Sequence, residues 1–286
     1  MVDVSHARPE EREEIARFMQ EVFPRAKWSL DGWRALLDGR WSGAAGRYAI
    51  TARDGGRLVG ALGLVTAERP TSVGPRITAN MTSWYVLKPY RGQGLGHRMI
   101  GLAAADPAIT LTNFTCSRGA VPVVESAGMQ ALDQERLLWR SRPAASARLA
   151  VHPEPVRTDI SISAKDRRVL DDHAGLNLTR LAVATPDGPC VLLLAVKRKS
   201  DAWLTYEALY LGNRDLFASH SRAIADSILP PEGAVLSVDR RLLPAEAEPD
   251  AVETFDVPRF YTPGLMPPEE IDYLYSEIVL LDMKLS

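Results

Sequence analysis

Apolar and polar positions change period several times along the chain, and each change marks an element. Val2–Ser5 alternates, as a short strand does. Pro9 then sits where a first helical turn tolerates proline, and Glu10, Glu11, Glu13 and Glu14 crowd the positive end of that helix. Ile15, Phe18, Met19 and Val22 follow at helical spacing up to Pro24. Ser29 is placed to cap a second helix with Leu30, Trp33, Leu36 and Leu37 on one face. Arg47–Arg53 and Arg57–Ala67 read as a hairpin around Asp54-Gly55-Gly56, with Gly60 and Gly63 marking a bulge or a close backbone approach. A long strand, Ile77–Leu87, runs through Lys88–Gly96 into a helix ending near Ala104. A strand at Ile109–Cys116, a short helix at Ala120–Ser126 and a strand at Ala131–Arg140 complete the order β-α-α-β-β-β-α-β-α-β.

The Ala-, Pro- and Arg-rich stretch 143–156 reads as a linker between a first domain, 1–142, and a second, 157–286. The second part repeats β-β-β-α-β. Lys165–Ala174 is helical, Leu178–Ala184 and Cys190–Lys197 form a hairpin at Thr185–Gly188, and Trp203–Leu211 is a strand. Arg214–Ile228 is an amphipathic helix and Ala234–Asp239 a strand. The loop before that helix, Gly212-Asn213-Arg214-Asp215, has no glycine-rich phosphate cradle. Ile271–Leu281 is compatible with a helix leading to an edge strand, and periodicity leaves its type open.

Composition narrows the function. Of 286 residues, 46% are hydrophobic, enough for two cores without metal or disulfide staples. The net charge of −2, with basic residues scattered, points away from nucleic acid and anionic membranes. The basic run Lys197–Lys199 fits a surface strand end. Two cysteines without Cys-x-x-Cys spacing suit a reducing compartment, and the five dispersed histidines give no metal-ligand spacing, so no metal is expected. The charged N-terminus and the absence of a long aliphatic stretch indicate a cytoplasmic protein.

Chemistry concentrates where the long strand turns into a helix: Val86-Leu-Lys-Pro-Tyr-Arg91-Gly92-Gln93-Gly94-Leu95-Gly96-His97. Glycines permit positive φ and close approach, and the unpaired amides at the helix start favour a phosphate. Arg91 either adds a charge-assisted contact or pins the loop. No Asp or Glu lies between Asp106 and Glu125, and no Gly-Lys-Ser/Thr follows, so neither a dinucleotide fingerprint nor a Walker loop fits.

The segment resembles motif A of the GNAT acyltransferases, Arg/Gln-x-x-Gly-x-Gly/Ala, through Arg91, Gly94 and Gly96. A second register of that family, Asn-x-x-Ala-x-x-x-Tyr-x-x-x-Gly-Phe, reads here Ser117, Ala120, Val124, Gly128 and Met129, keeping the alanine and the glycine. The resemblance spans roughly the first 142 residues. It implies an α/β (α+β) GNAT-type fold, a mixed, mostly antiparallel sheet flanked by helices, with the later segment resembling a degenerate second copy. It further implies acetyl-CoA or another acyl-CoA as co-substrate. Tyr85 and Val86 would bond the pantetheine arm, Arg91, Gly92, Gln93, Gly94, Leu95 and Gly96 would hold the pyrophosphate, and Ser117 would position the arm. The Val86 amide would stabilise the thioester oxyanion.

Two family groups are replaced. Val124 stands at the place of the proton-donating tyrosine, and Asn80 at that of a glutamate base. Asn80, Cys116 and His173 are the remaining candidates for catalysis. A thiol of pKa near ~8.5 leaves readily without an acid, whereas an amine of pKa near ~10.4 must be freed of its proton. The expectation is transfer of an acyl group to an amine of a small molecule or peptide. The alternative is a non-catalytic acyl-CoA-binding sensor or scaffold subunit. Oligomerisation through an exposed strand is compatible with either.

Overall fold

The fold was analysed in a computed structural model, which describes residues 1–285 apart from 44–45, 73, 144–147, 156–159, 199–202 and 246. The chain divides into two compact units. The first comprises Met1–Leu132, Val257–Pro267 and Tyr275–Leu281; the second comprises Asp133–Asp256, Pro268–Leu274 and Asp282–Ser286.

In the first part of the chain the elements are β1 (Asp3–His6), α1 (Arg12–Val22), α2 (Leu30–Leu37), β2 (Ala49–Asp54), β3 (Arg57–Arg69), β4 (Arg76–Val86), α3 (Leu95–Ala103), β5 (Ile109–Asn113), α4 (Val121–Ser126) and β6 (Gln130–Arg140). This is the order expected from periodicity. Gly55 and Gly56, both at positive φ, make the two-residue β2–β3 turn. Glu11 accepts a bond from the Arg8 amide at 2.7 Å and so satisfies a donor before α1. Ser29 occupies the cap position of α2, but its side chain makes no capping bond.

Strands β1 to β4 pair antiparallel in sequence order, and β4 pairs β5 in parallel. Met99, Ile100 and Val124 pack on the face formed by Ile50, Leu62, Ala79 and Met81. On the other face, Ile15, Met19, Trp33 and Leu36 pack against Ala49, Ala61 and Val65. Helices therefore cover β2 and β3 on both faces, whereas β4 and β5 turn buried polar residues, Thr78, Asn80, Thr110 and Thr112, to the face opposite α3 and α4.

The second part begins with β7 (Ala150–Pro153), which falls inside the stretch expected as a linker; residues 144–147 and 156 of that stretch lie outside the described residues. A four-residue strand bearing a proline has no alternation long enough to read from sequence. Then come α5 (Ala164–Asp172), β8 (Thr179–Thr185), β9 (Gly188–Arg198), β10 (Leu204–Leu211), α6 (Arg214–Ile228), β11 (Ala234–Asp239), β12 (Ala251–Tyr261) and α7 (Glu277–Leu280). Strands β7 to β10 pair antiparallel, and β10 pairs β11 in parallel. The β1–β5 plan is thus repeated by β7–β11.

Each unit closes its sheet with a strand from the far part of the sequence. In the first, Phe260 and Tyr261 of β12 pair antiparallel with Asn113 and Thr112 of β5. In the second, β6 pairs antiparallel with β11, from Arg136↔Asp239 to Arg140↔Val235. Strand β12 was not expected, because Pro258 and the acidic run before it suppress a strand signal. The tail also differs from the helix-then-strand option. Of Ile271–Leu281, Glu277–Leu280 alone is helical and none is strand. No helix among the described residues is long and apolar enough to cross a membrane.

Candidate acyl-CoA site

Strand β4 is continuous with β5 over four residue pairs, ending at Asn80↔Thr112. Beyond Asn80, the rest of β4 has no partner on that side among the described residues. A bulge explains the parting. Ala61 pairs with Tyr85 and Gly63 with Thr82, so β4 carries one residue more than β3 across this interval. Ser83 takes up the extra residue at φ 50°, and Gly63 leaves room for it; a Cβ there would lie 2.8 Å from Thr82 Cγ2. The bulge also resets the facing of β4. Ile77, Ala79 and Met81 face α3 and α4 before it; Trp84 and Val86 face them after it, while Tyr85 turns to the α1–α2 side.

The opened strand leads into a cleft of about 680 Å³ lined by Trp84, Tyr85, Val86, the 90–97 loop and helix start, and α4 with the turn before it. Gly92 and Gly94 adopt φ values of 77° and 71°. Gly94 is the residue before α3, whose first amides have no partner inside the helix. Gly96 is required for another reason: a Cβ there would overlap the Trp84 ring. Arg91 does pin the loop. Its Nε donates to the Val86 carbonyl at 2.8 Å and its guanidinium lies 4.9 Å from the Tyr85 ring centre. Gln93 donates to the Pro89 carbonyl at 3.2 Å and does not line the cleft.

Tyr85, Val86, Arg91, Gly92, Gly94, Leu95, Gly96 and Ser117 line one cavity. The sequence reading missed Tyr90, whose hydroxyl donates to Asp54 at 3.0 Å, and His97, whose Nδ1 lies 3.3 Å from Ser126 Oγ. Both directly flank the Arg91–Gly96 segment, which was the available signal.

The three catalytic candidates fare differently. Asn80 is buried; its Nδ2 donates to Thr112 Oγ1 at 3.1 Å. Cys116 is half-buried, and burial, reinforced by Glu125, pushes its thiol up to about 11, which leaves little thiolate at neutral pH. His173 belongs to the second unit, is fully buried, and has Nδ1 2.8 Å from the Val169 carbonyl. Val124 is fully buried in the core. Among the described residues, no group of three or more His, Cys, Asp or Glu is arranged to hold a metal ion.

Sequence reading also missed Glu277. It lies 197 residues after Asn80 in the chain, yet its amide approaches Asn80 Oδ1 at 3.5 Å. Its Oε1 accepts from Thr115 Oγ1 at 2.8 Å, and its side chain is buried. Burial raises its pKa to about 7, against the opposing effects of the Thr115 bond and the Arg259 charge.

Residues 10–108 match the model of the acetyltransferase (GNAT) family. The first unit carries a GNAT-family domain. No curated protein sequence matches the chain. Solved structures extend the likeness of fold beyond the GNAT segment. A GCN5-related N-acetyltransferase from Anabaena variabilis is 8% identical with a TM-score of 0.61, over 91% of this chain and 72% of that one. One from Kribbella flavida is 12% identical with a TM-score of 0.53, over 91% and 71%. A probable N-acyltransferase from Enterococcus faecalis gives 12% and 0.53, over 91% and 72%.

Proposed function

We infer that the chain is an acyltransferase that holds acetyl-CoA or another acyl-CoA in the cleft of the first unit and passes the acyl group to an amine. The observation that carries this reading is the parting of β4 from β5 directly before a glycine cradle at the start of α3. The parted edge of β4 offers main-chain groups to a pantetheine arm, and the amides of Gly92 through Gly96 offer donors to a pyrophosphate. Ser117 supplies a hydroxyl on the opposite wall. The acceptor is a small molecule or a peptide end bearing a primary amine.

The amine nitrogen attacks the thioester carbonyl carbon, and the amide of Val86 or a neighbour on the parted edge stabilises the oxyanion. The thiolate then departs without a dedicated acid, since Val124 cannot donate. Calorimetry with CoA, followed by thiol release from acetyl-CoA in the presence of a panel of primary amines, tests the reading. Binding with turnover supports it. Binding without turnover across the panel favours the non-catalytic alternative, which the burial of Val124 and Asn80 motivates. Absence of binding removes both.

A further inference from the structure

We propose that Glu277, brought in by the C-terminal tail, is the general base that relieves the acceptor amine of its proton, in place of the carboxylate that β4 lacks at Asn80. The inference rests on the acyltransferase reading above and deepens it.

Four observations place the residue. Its amide reaches the Asn80 side chain, so it sits where the paired part of β4 ends and the parting from β5 begins. It lies on the α1–α2 side of the sheet: the residues that follow it, Leu280 and Leu281, pack in the cluster built by α1 and α2. Tyr85 faces the same side, so the carboxyl and the β4 edge beyond the bulge share one face. Finally, Glu277 is 1% exposed, and its Oε2 has no hydrogen-bond partner among the described residues. A buried carboxyl oxygen left unsatisfied carries a free-energy penalty unless a ligand or a water meets it.

The site is one hydrogen bond from solvent, because Thr115, which donates to Oε1, is itself exposed. The tail is held in place by Tyr275, whose ring meets Trp41 edge-on at 5.3 Å and lies 5.2 Å from the Arg69 guanidinium. The charge bearing on Glu277 is Arg259 on β12; Asn80 on β4 and Thr115 after β5 are neutral. On α2, which packs against α7, Asp31 and Arg34 pair with each other, and Arg34 also with Glu13.

The amine lone pair forms the C–N bond, the C–S bond breaks, and its electron pair leaves on the CoA sulfur. The nitrogen proton passes to Glu277 Oε2, directly or through one water, and returns to solvent. The thiolate takes a proton from water, so the products are an amide and free CoA. A carboxyl that titrates near 7 is matched to this task, ionised often enough to accept and basic enough to be protonated.

The full chain, acetyl-CoA and a panel of primary amines serve as the test. Parent kcat/KM should rise with pH through an ionisation near 7. Glu277→Gln should lower kcat by about a hundredfold or more and abolish that limb, with CoA affinity held within about twofold by calorimetry. Glu277→Asp should recover part of the rate. Thr115→Val removes a bond to the ionised form, so the limb should move to higher pH. A readout without turnover accompanies these. The folded carboxyl holds a proton between 4.5 and about 7 that the unfolded chain has released, so stability should fall as pH rises through that window. Glu277→Gln should lack this decline.

A folded, CoA-binding Glu277→Gln with parental kcat and pH profile overturns the inference while leaving the acyltransferase reading intact. If that variant does not fold, an unmoved limb in Thr115→Val overturns it instead. A parent that binds CoA but acylates no amine overturns both, and a parent that does not bind CoA overturns the cradle itself.

Discussion

The crossings β4–α3 and β10–α6 are built to one plan and end in opposite ways. Both strands pair in parallel with the strand after their helix, over four residue pairs, up to Asn80 in one and Glu207 in the other. Both carry one extra residue soon after, at Ser83–Trp84 and at Leu209. From there they diverge. Leu87–Gly94 is an eight-residue loop with two glycines at positive φ and an open cleft beside it. Gly212-Asn213 is a two-residue step, and Asn213 accepts the Leu216 amide at 2.9 Å, so the side chain itself caps α6.

The space a phosphate would need is also taken. Asp166 from α5 lies against Gly212, held by Tyr210 and Ser163 at 2.7 and 2.6 Å. The bulged Leu209 accepts from the Tyr273 amide at 3.2 Å, which uses a strand-edge carbonyl that stands free for a ligand in a parted sheet. A carboxylate at the start of α6 satisfies the helix dipole from within and repels an anion. A shared strand-bulge-helix plan is therefore not a cofactor site; loop length and the charge beside the helix start decide whether it becomes one.

Gly94→Val places a β-branched residue at φ 71° and narrows the phosphate approach, so CoA affinity should fall at least about tenfold by calorimetry, a loss of roughly 1.4 kcal/mol or more. Unchanged affinity would put the first crossing on a par with the second. At the glycine of the second crossing the expected outcome is reversed. Gly212→Ala drives a methyl into the Asp166 carboxylate and should destabilise the second unit by about 1–3 kcal/mol in thermal melts, while CoA affinity and a stoichiometry of one per chain persist. Loss of CoA binding there, with folding intact, would show that the second crossing takes part in binding. The smallest effect is expected for Asn213→Ala, which removes the cap of α6 and should cost about 1 kcal/mol of stability without touching CoA affinity.

Most of the architecture was legible along the chain. Local alternation and helical spacing place all ten elements from β1 to β6 in order, and Arg91, Gly94 and Gly96 mark the cradle, because turn and helix-start chemistry acts between residues a few positions apart. The absence of a cradle at Gly212 was legible for the same reason. The occupation of that space by Asp166 and Tyr273 was not.

What the amino-acid order determined by itself, then, is the repeated strand-helix plan and the glycine loop that opens α3, both written in contiguous residues. Folding in three dimensions selects the distant segments that complete each unit: β12 beside β5, β6 beside β11, and Glu277 beside Asn80. Those meetings depend on sheet pairing and burial between segments far apart in the chain, from Arg140 with Val235 to Asn80 with Glu277. A buried carboxyl with one free oxygen has the same local pattern in sequence as any surface glutamate.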